Sequence, residues 1–244
     1  MLKLTLLCLF VIQVLSIQAK TYDEVVEHMQ PLFQHYHNTI YSSEMILHDK
    51  ERITLNNMGK YLFNTWYEFQ MKAEKFLTNI KNESMTIITE LGMTSHMDKI
   101  QHCIADMNNK SSQEQNTIVA GADVCRTSGG KNLIFTLDTI LKPLYENLTS
   151  THKSVEGVKE ICSSYIPDQA LICITNILYR RWDPQIEAME IETSTATTNI
   201  DTSVNYITIS FNMCNEFVEK KLNETKPILD DFRKCVQEVA NNMS

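Results

Sequence analysis

The sequence predicts an all-α protein, a disulfide-stabilised bundle of antiparallel helix hairpins, on three observations. Gly and Pro are scarce, 6 and 5 among 244 residues, where roughly 12 % together is usual. Strand-and-turn folds need them at each tight reversal, whereas long helices need few reversals and are weakened by both. Apolar residues recur at helical spacing over long stretches. Finally, six of the seven cysteines lie from residue 103 onward, an even number suited to cross-links between helices. At 43 % hydrophobic and 21 % charged residues, wholesale disorder and collagen are excluded.

The chain opens with Lys3 ahead of an apolar stretch, residues 4–15, broken by Thr5 and Gln13 and followed by the small residues Ser16 and Ala19. This predicts a secretory signal, residues 1–19, cleaved after Ala19 or Ser16 and taking Cys8 with it. The stretch is too short to span a bilayer, and no later segment is apolar for long enough. Of 22 basic and 30 acidic residues only Lys3 lies in the leader, so the mature chain has 21 against 30, a net charge of −9. Such a surface disfavours nucleic acid and anionic lipid as partners.

Two regions are expected after the leader, an N-terminal helical region at 20–92 and a cysteine-containing helical domain at 93–244. In the first, Leu62, Trp66, Phe69, Ala73, Leu77 and Ile80 line one helix face. In the second, Leu133, Leu137, Ile140 or Leu141, Leu144 and Leu148 do the same, as do Ile207, Phe211, Cys214 and Val218, then Ile228, Phe232, Cys235 and Val239. Pro31 and Pro143 predict a kink or boundary. Gly129-Gly130 and the polar run 108–116 predict interruptions. The Thr/Ser-rich segment 193–203 predicts a loop or a weak helix, since such side chains bond their own backbone. A turn is expected at 223–227, with Pro227 in the first turn of the last helix.

Six cysteines permit 15 pairings. The 223–227 turn lies about 10 residues from Cys214 and from Cys235, or ~15 Å along either helix. A chain folded back there would bring the two level. The same symmetry holds around Pro167 for Cys162 and Cys173, and around 108–116 for Cys103 and Cys125. Neighbour pairing is therefore expected, 103–125, 162–173 and 214–235, the alternative being cysteines matched to more distant helices.

Five Asn-X-Ser/Thr sequons occur, at Asn82, Asn109, Asn147, Asn223 and Asn242. Their positions in expected turns and near helix ends favour glycosylation at the first four, Asn242 lying too close to the chain end. His28, His35 and His37 lack the one-face spacing of a zinc site, so solvated histidines and no metal are expected. Asp183 beside Arg180 and Arg181 reads as a surface ion pair. There is no nucleophile elbow, phosphate loop or dinucleotide fingerprint, and cysteines paired in disulfides are not thiolates. No catalytic residue and no cofactor is expected. The face formed by Leu62, Trp66, Phe69 and Leu77 is a candidate apolar ligand wall, with core packing the favoured reading.

The Cys162-x10-Cys173 pair, a polar Ser/Thr run containing Ala196, and Cys214-x20-Cys235 resemble the insect secreted family named after the tsetse midgut EP protein, the TsetseEP domain, over residues 103–235. The Glu-Pro repeat tail of its name-giving member is missing here, so no gut or parasite role is carried over. The resemblance implies a helical, disulfide-bonded secreted domain of an insect body or secretory fluid, with the cysteines as its only matched positions. The expected function is that of a secreted, non-enzymatic glycoprotein of unknown molecular role, a binding or interaction protein whose partner is an unknown protein or a small apolar ligand. The alternatives are a carrier of small apolar ligands in a helical-bundle cavity and a cytokine-like receptor ligand.

Overall fold

The structure, a computed structural model, describes residues 21–222 and 225–243, so the expected leader lies outside the described residues. Helix α1 spans Tyr22–Glu90, a 3-10 turn Thr94–His96, α2 Gln101–Cys162, α3 Pro167–Ile177, a π turn Leu178–Trp182, α4 Asp183–Leu222 and α5 Lys226–Met243. Among the described residues there is no strand. All four apolar stripes named above face inward or are half-buried.

Helix α1 ends at a Schellman cap. Gly92 adopts φ +70, its N–H donates to Thr89 O, and the Met93 N–H donates to Ile88 O. Only Gly accepts that left-handed backbone without strain, and the accompanying apolar contact is present, since Met93 and Ile88 share one core cluster. The α2–α3 reversal follows the sequence. Ile166 is extended, Pro167 occupies the first turn of α3, and Cys162–Cys173 closes the turn with Cα atoms 5.8 Å apart.

The interior interruptions are not there. Helix α2 runs through Gly129-Gly130, because Gly129 is where helices approach closely: a Cβ there would lie 3.0 Å from Leu62 Cδ2 and 3.7 Å from Phe211 Cδ2. Packing outweighs the ~1 kcal/mol that Gly costs a helix. Residues 108–116 stay helical because Met107, Ser111 and Ile118 hold one face in the core, with the buried Ser111 hydroxyl donating to Met107 O at 2.7 Å. Residues 193–203 belong to α4. Their stripe Thr193, Ala196 and Ile200 is buried, while Thr195, Thr197 and Thr198 turn their hydroxyls back onto carbonyls of the preceding turn. Helices α1 and α2 continue through Pro31 and Pro143, both on exposed positions.

The chain clusters into two compact units, each drawing on α1, α2 and α4 and on both sides of residue 92. One holds the described residues 21–51 and 137–200, with a core that includes Phe33, Tyr36, Leu47, Val155, Ile174 and Leu178. The other holds 52–136, 201–222 and 225–243. Here Phe76, Ile80 and Ile88 of α1 pack with Met107 of α2 and with Phe232 and Val236 of α5.

Two of the three expected disulfides are corrected. The bonds are Cys103–Cys235 and Cys125–Cys214, with only Cys162–Cys173 between neighbours. The cause is the chain direction after residue 222. Along α1, Tyr61 meets Asn212, Lys72 meets Glu219, and Glu90 meets Arg233. Both numbers rise together across the 223–227 break, so α5 keeps the direction of α4 and does not fold back. Cys214 and Cys235 therefore face successive levels of α2, where Cys125 and Cys103 are waiting in antiparallel order.

Candidate functional site

Asn82, Asn109 and Asn147 are exposed but sit within helices, not in the turns or helix ends expected for them. Asn147 Nδ2 donates to Glu192 Oε2 at 3.3 Å. Asn223 lies outside the described residues. The apolar wall is occupied: Leu62 and Phe69 are buried, Leu77 packs against the core cluster, and the half-buried Trp66 carries the Arg126 guanidinium 5.3 Å above its ring. These side chains fill the core of their unit.

Of His28, His35 and His37, expected as solvated histidines, two are so. His28 and His35 are exposed, whereas half-buried His37 reaches α2, its Nδ1 3.3 Å from His152 Nδ1 and its Nε2 2.6 Å from Glu156 Oε1. One turn pattern places His152 and Glu156 on the same face of α2, since residues four apart share a face. Further along this interface His48 stacks on Tyr145, whose hydroxyl donates to Glu51 Oε2 at 3.2 Å, and Tyr22 donates to Lys159 O. Burial, then the Glu51 charge, raises the Tyr145 pKa. The sequence offered no sign of His152 as a partner, because 115 residues separate it from His37.

The π turn forms a second polar centre. The Asp183 N–H reaches back to Leu178 O, and the buried Tyr36 hydroxyl donates to the same carbonyl at 3.4 Å and lies 3.5 Å from Asp183 Oδ1. Burial foremost, with Asp183 and Tyr179 behind it, raises the Tyr36 pKa well above that of a free tyrosine. Asp183 thus faces an inward tyrosine, while Arg181 lies over the Trp182 ring.

An open cleft of about 470 Å³ between α1 and α4 is lined by Asn38, Ser42, Ser43, Thr193, Ser194 and Thr197 among others. Six of its nine lining residues are Ser or Thr, and the Thr193 hydroxyl has no hydrogen-bond partner among the described residues. Away from the cleft, one group of three metal-ligating side chains lies together among the described residues: His102 with Cys103 and Cys235. Both sulfurs are spent in a disulfide, so no thiolate is available.

The exposed apolar residues are more unusual. On α4, Tyr206, Ile209, Met213 and Phe217 step by three, four and four along one face, and they are 69, 57, 65 and 68 % exposed. Val124 of α2, also exposed, adjoins Cys125, and Met213 adjoins Cys214, so both flank one cystine. Phe63, Tyr67 and Met71 form a comparable exposed row on α1. No helix among the described residues is long and apolar enough to cross a membrane. Compared with known proteins, the chain matches no family model, no curated protein and no solved structure.

Proposed function

We propose that this chain is a secreted, glycosylated, non-enzymatic interaction protein that engages another protein through the apolar face of α4. The observation that carries the reading is the row Tyr206, Ile209, Met213 and Phe217. Single exposed apolar residues need no explanation, but four in helical register, each more than half exposed, form the kind of patch that marks an interface. Aromatic residues and Met are also the types enriched at interface cores. A cystine beneath the face, Cys125–Cys214, fixes α2 against α4, so the surface is preorganised. Three disulfides agree with an oxidising compartment, and the similarity of the cysteine ladder to the TsetseEP domain agrees with an insect extracellular fluid. A carrier role is less well supported, since the apolar wall it would use packs into the core and the cleft is open to solvent, not enclosed.

The test places a photoreactive side chain at position 217 of the full chain and, separately, at exposed Glu187 on another part of α4. Each is irradiated in the source fluid. A discrete cross-linked protein from position 217, absent from 187 and lost when Met213→Glu is added, is the expected result. Equal or absent cross-linking at both positions overturns the proposal.

A further inference from the structure

We propose that His37 and His152 together bind a late first-row divalent metal ion such as Cu²⁺ or Zn²⁺, with Glu156 steadying His37 from behind. Two imidazole nitrogens bound at about 2.0–2.1 Å and a tetrahedral angle stand ~3.3 Å apart. The two Nδ1 atoms are 3.3 Å apart, at the long end for a direct N–H···N bond. Their rings are tilted by 52° with centroids 4.6 Å apart, so neither ring blocks the space between the nitrogens by stacking flat on the other.

The second observation is independent of the first. Metal-bound histidines commonly present their far nitrogen to a carboxylate, which fixes the tautomer and strengthens the donor. His37 has such a carboxylate close by: its Nε2 is buried and lies 2.6 Å from Glu156 Oε1, although out of line for a hydrogen bond. A metal at Nδ1 would leave the ring proton on Nε2, beside the Glu156 carboxylate. Glu156 is in turn held near Lys159, its Oε2 3.6 Å from Nζ.

The donor set also decides the ion. Imidazole suits Zn²⁺ and Cu²⁺, while Mg²⁺ and Ca²⁺ require oxygen donors. Two protein ligands leave the remaining positions to water, and the order of affinities follows the general series, Cu²⁺ above Zn²⁺. Because His37 is on α1 and His152 on α2, an ion there would cross-link the two helices within their unit.

The experiment uses the full mature chain stripped with a chelator, titrated calorimetrically with Cu²⁺, Zn²⁺ and Mg²⁺ in turn. Spin-resonance spectra of the Cu²⁺ form count the bound imidazoles. The expected result is Cu²⁺ tighter than Zn²⁺, no Mg²⁺ binding, and two nitrogens coupled to copper. His37→Asn and His152→Asn should each remove this site, and Glu156→Gln should weaken it by about 10–100-fold while both nitrogens stay coupled. Circular dichroism of each variant verifies the fold. No Cu²⁺ or Zn²⁺ binding by the wild-type chain, or binding unchanged by both histidine substitutions, overturns the proposal. So does a copper spectrum with a single coupled nitrogen, which needs no variant to interpret.

Discussion

Removing the disulfides one at a time discriminates sharply between chain directions after residue 222. The bridges Cys103–Cys235, Cys125–Cys214 and Cys162–Cys173 close loops of 132, 89 and 11 residues. Chain-entropy reasoning gives about 5.0, 4.6 and 2.8 kcal/mol for them taken singly. The first two are nested, so each, with the other intact, closes an effective loop of only about 43 residues and is worth about 4 kcal/mol. Replacing both members of a pair by Ala keeps the helices and avoids leaving one reactive thiol. Urea unfolding followed by circular dichroism should then show similar falls in midpoint for the 103/235 and 125/214 pairs, both larger than the fall for 162/173. If neighbours were joined, no loop would exceed roughly 20 residues, and the two outer bridges would be worth only about 3.3 kcal/mol each. Equal losses for the three pairs, or the largest loss at 162/173, would refute the continuation of α4 into α5.

Adjacent glycines of α2 should respond with opposite sign. Gly130→Ala meets no atom within 4 Å and should stabilise by about 0.5–1 kcal/mol, whereas Gly129→Ala presses on Leu62 and should lose that gain or fall about 1–2 kcal/mol below wild type; denaturant midpoints decide. The raised pKa of Tyr36 implies a pH effect at the alkaline end only. The unfolded tyrosine ionises near 10 and the folded one higher, so its contribution is complete below pH 10 and disappears as pH rises beyond it. Tyr36→Phe should cost about 1 kcal/mol at neutral pH and make the alkaline decline shallower, as seen in unfolding midpoints between pH 7 and 11. Glycan occupancy should be found at exposed Asn82 and Asn109, read by peptide mass before and after enzymatic deglycosylation. Unmodified asparagine at both would contradict it.

The helical class, the inward stripes and the Pro167 reversal were legible because each depends on local spacing or on one residue's backbone preference. What misled were residues whose local preference is outweighed by neighbours distant in sequence. Gly129 reads as a helix stop, yet its missing side chain admits Leu62. Thr193 reads as loop-forming, yet with Ala196 and Ile200 it continues a buried row that leads to Ile207, a spacing visible in the sequence and masked by composition. The disulfides went astray through the assumption that Pro227 follows a reversal. Proline in a first helical turn fits a straight restart equally well. The histidine pair and the exposed face of α4 depend on which helix lies beside which, information that no single segment carries.

The central claim is that the α4 face is covered in the protein's natural setting. Oxidative footprinting of methionines tests it directly, because Met213 lies within the face, Met45 and Met85 are exposed elsewhere, and buried Met58 is an internal zero. In the purified protein Met213, Met45 and Met85 should all oxidise readily while Met58 resists. In the untreated source fluid Met213 alone should become protected. Met213 oxidised in that fluid as fast as Met45 and Met85 would contradict the claim.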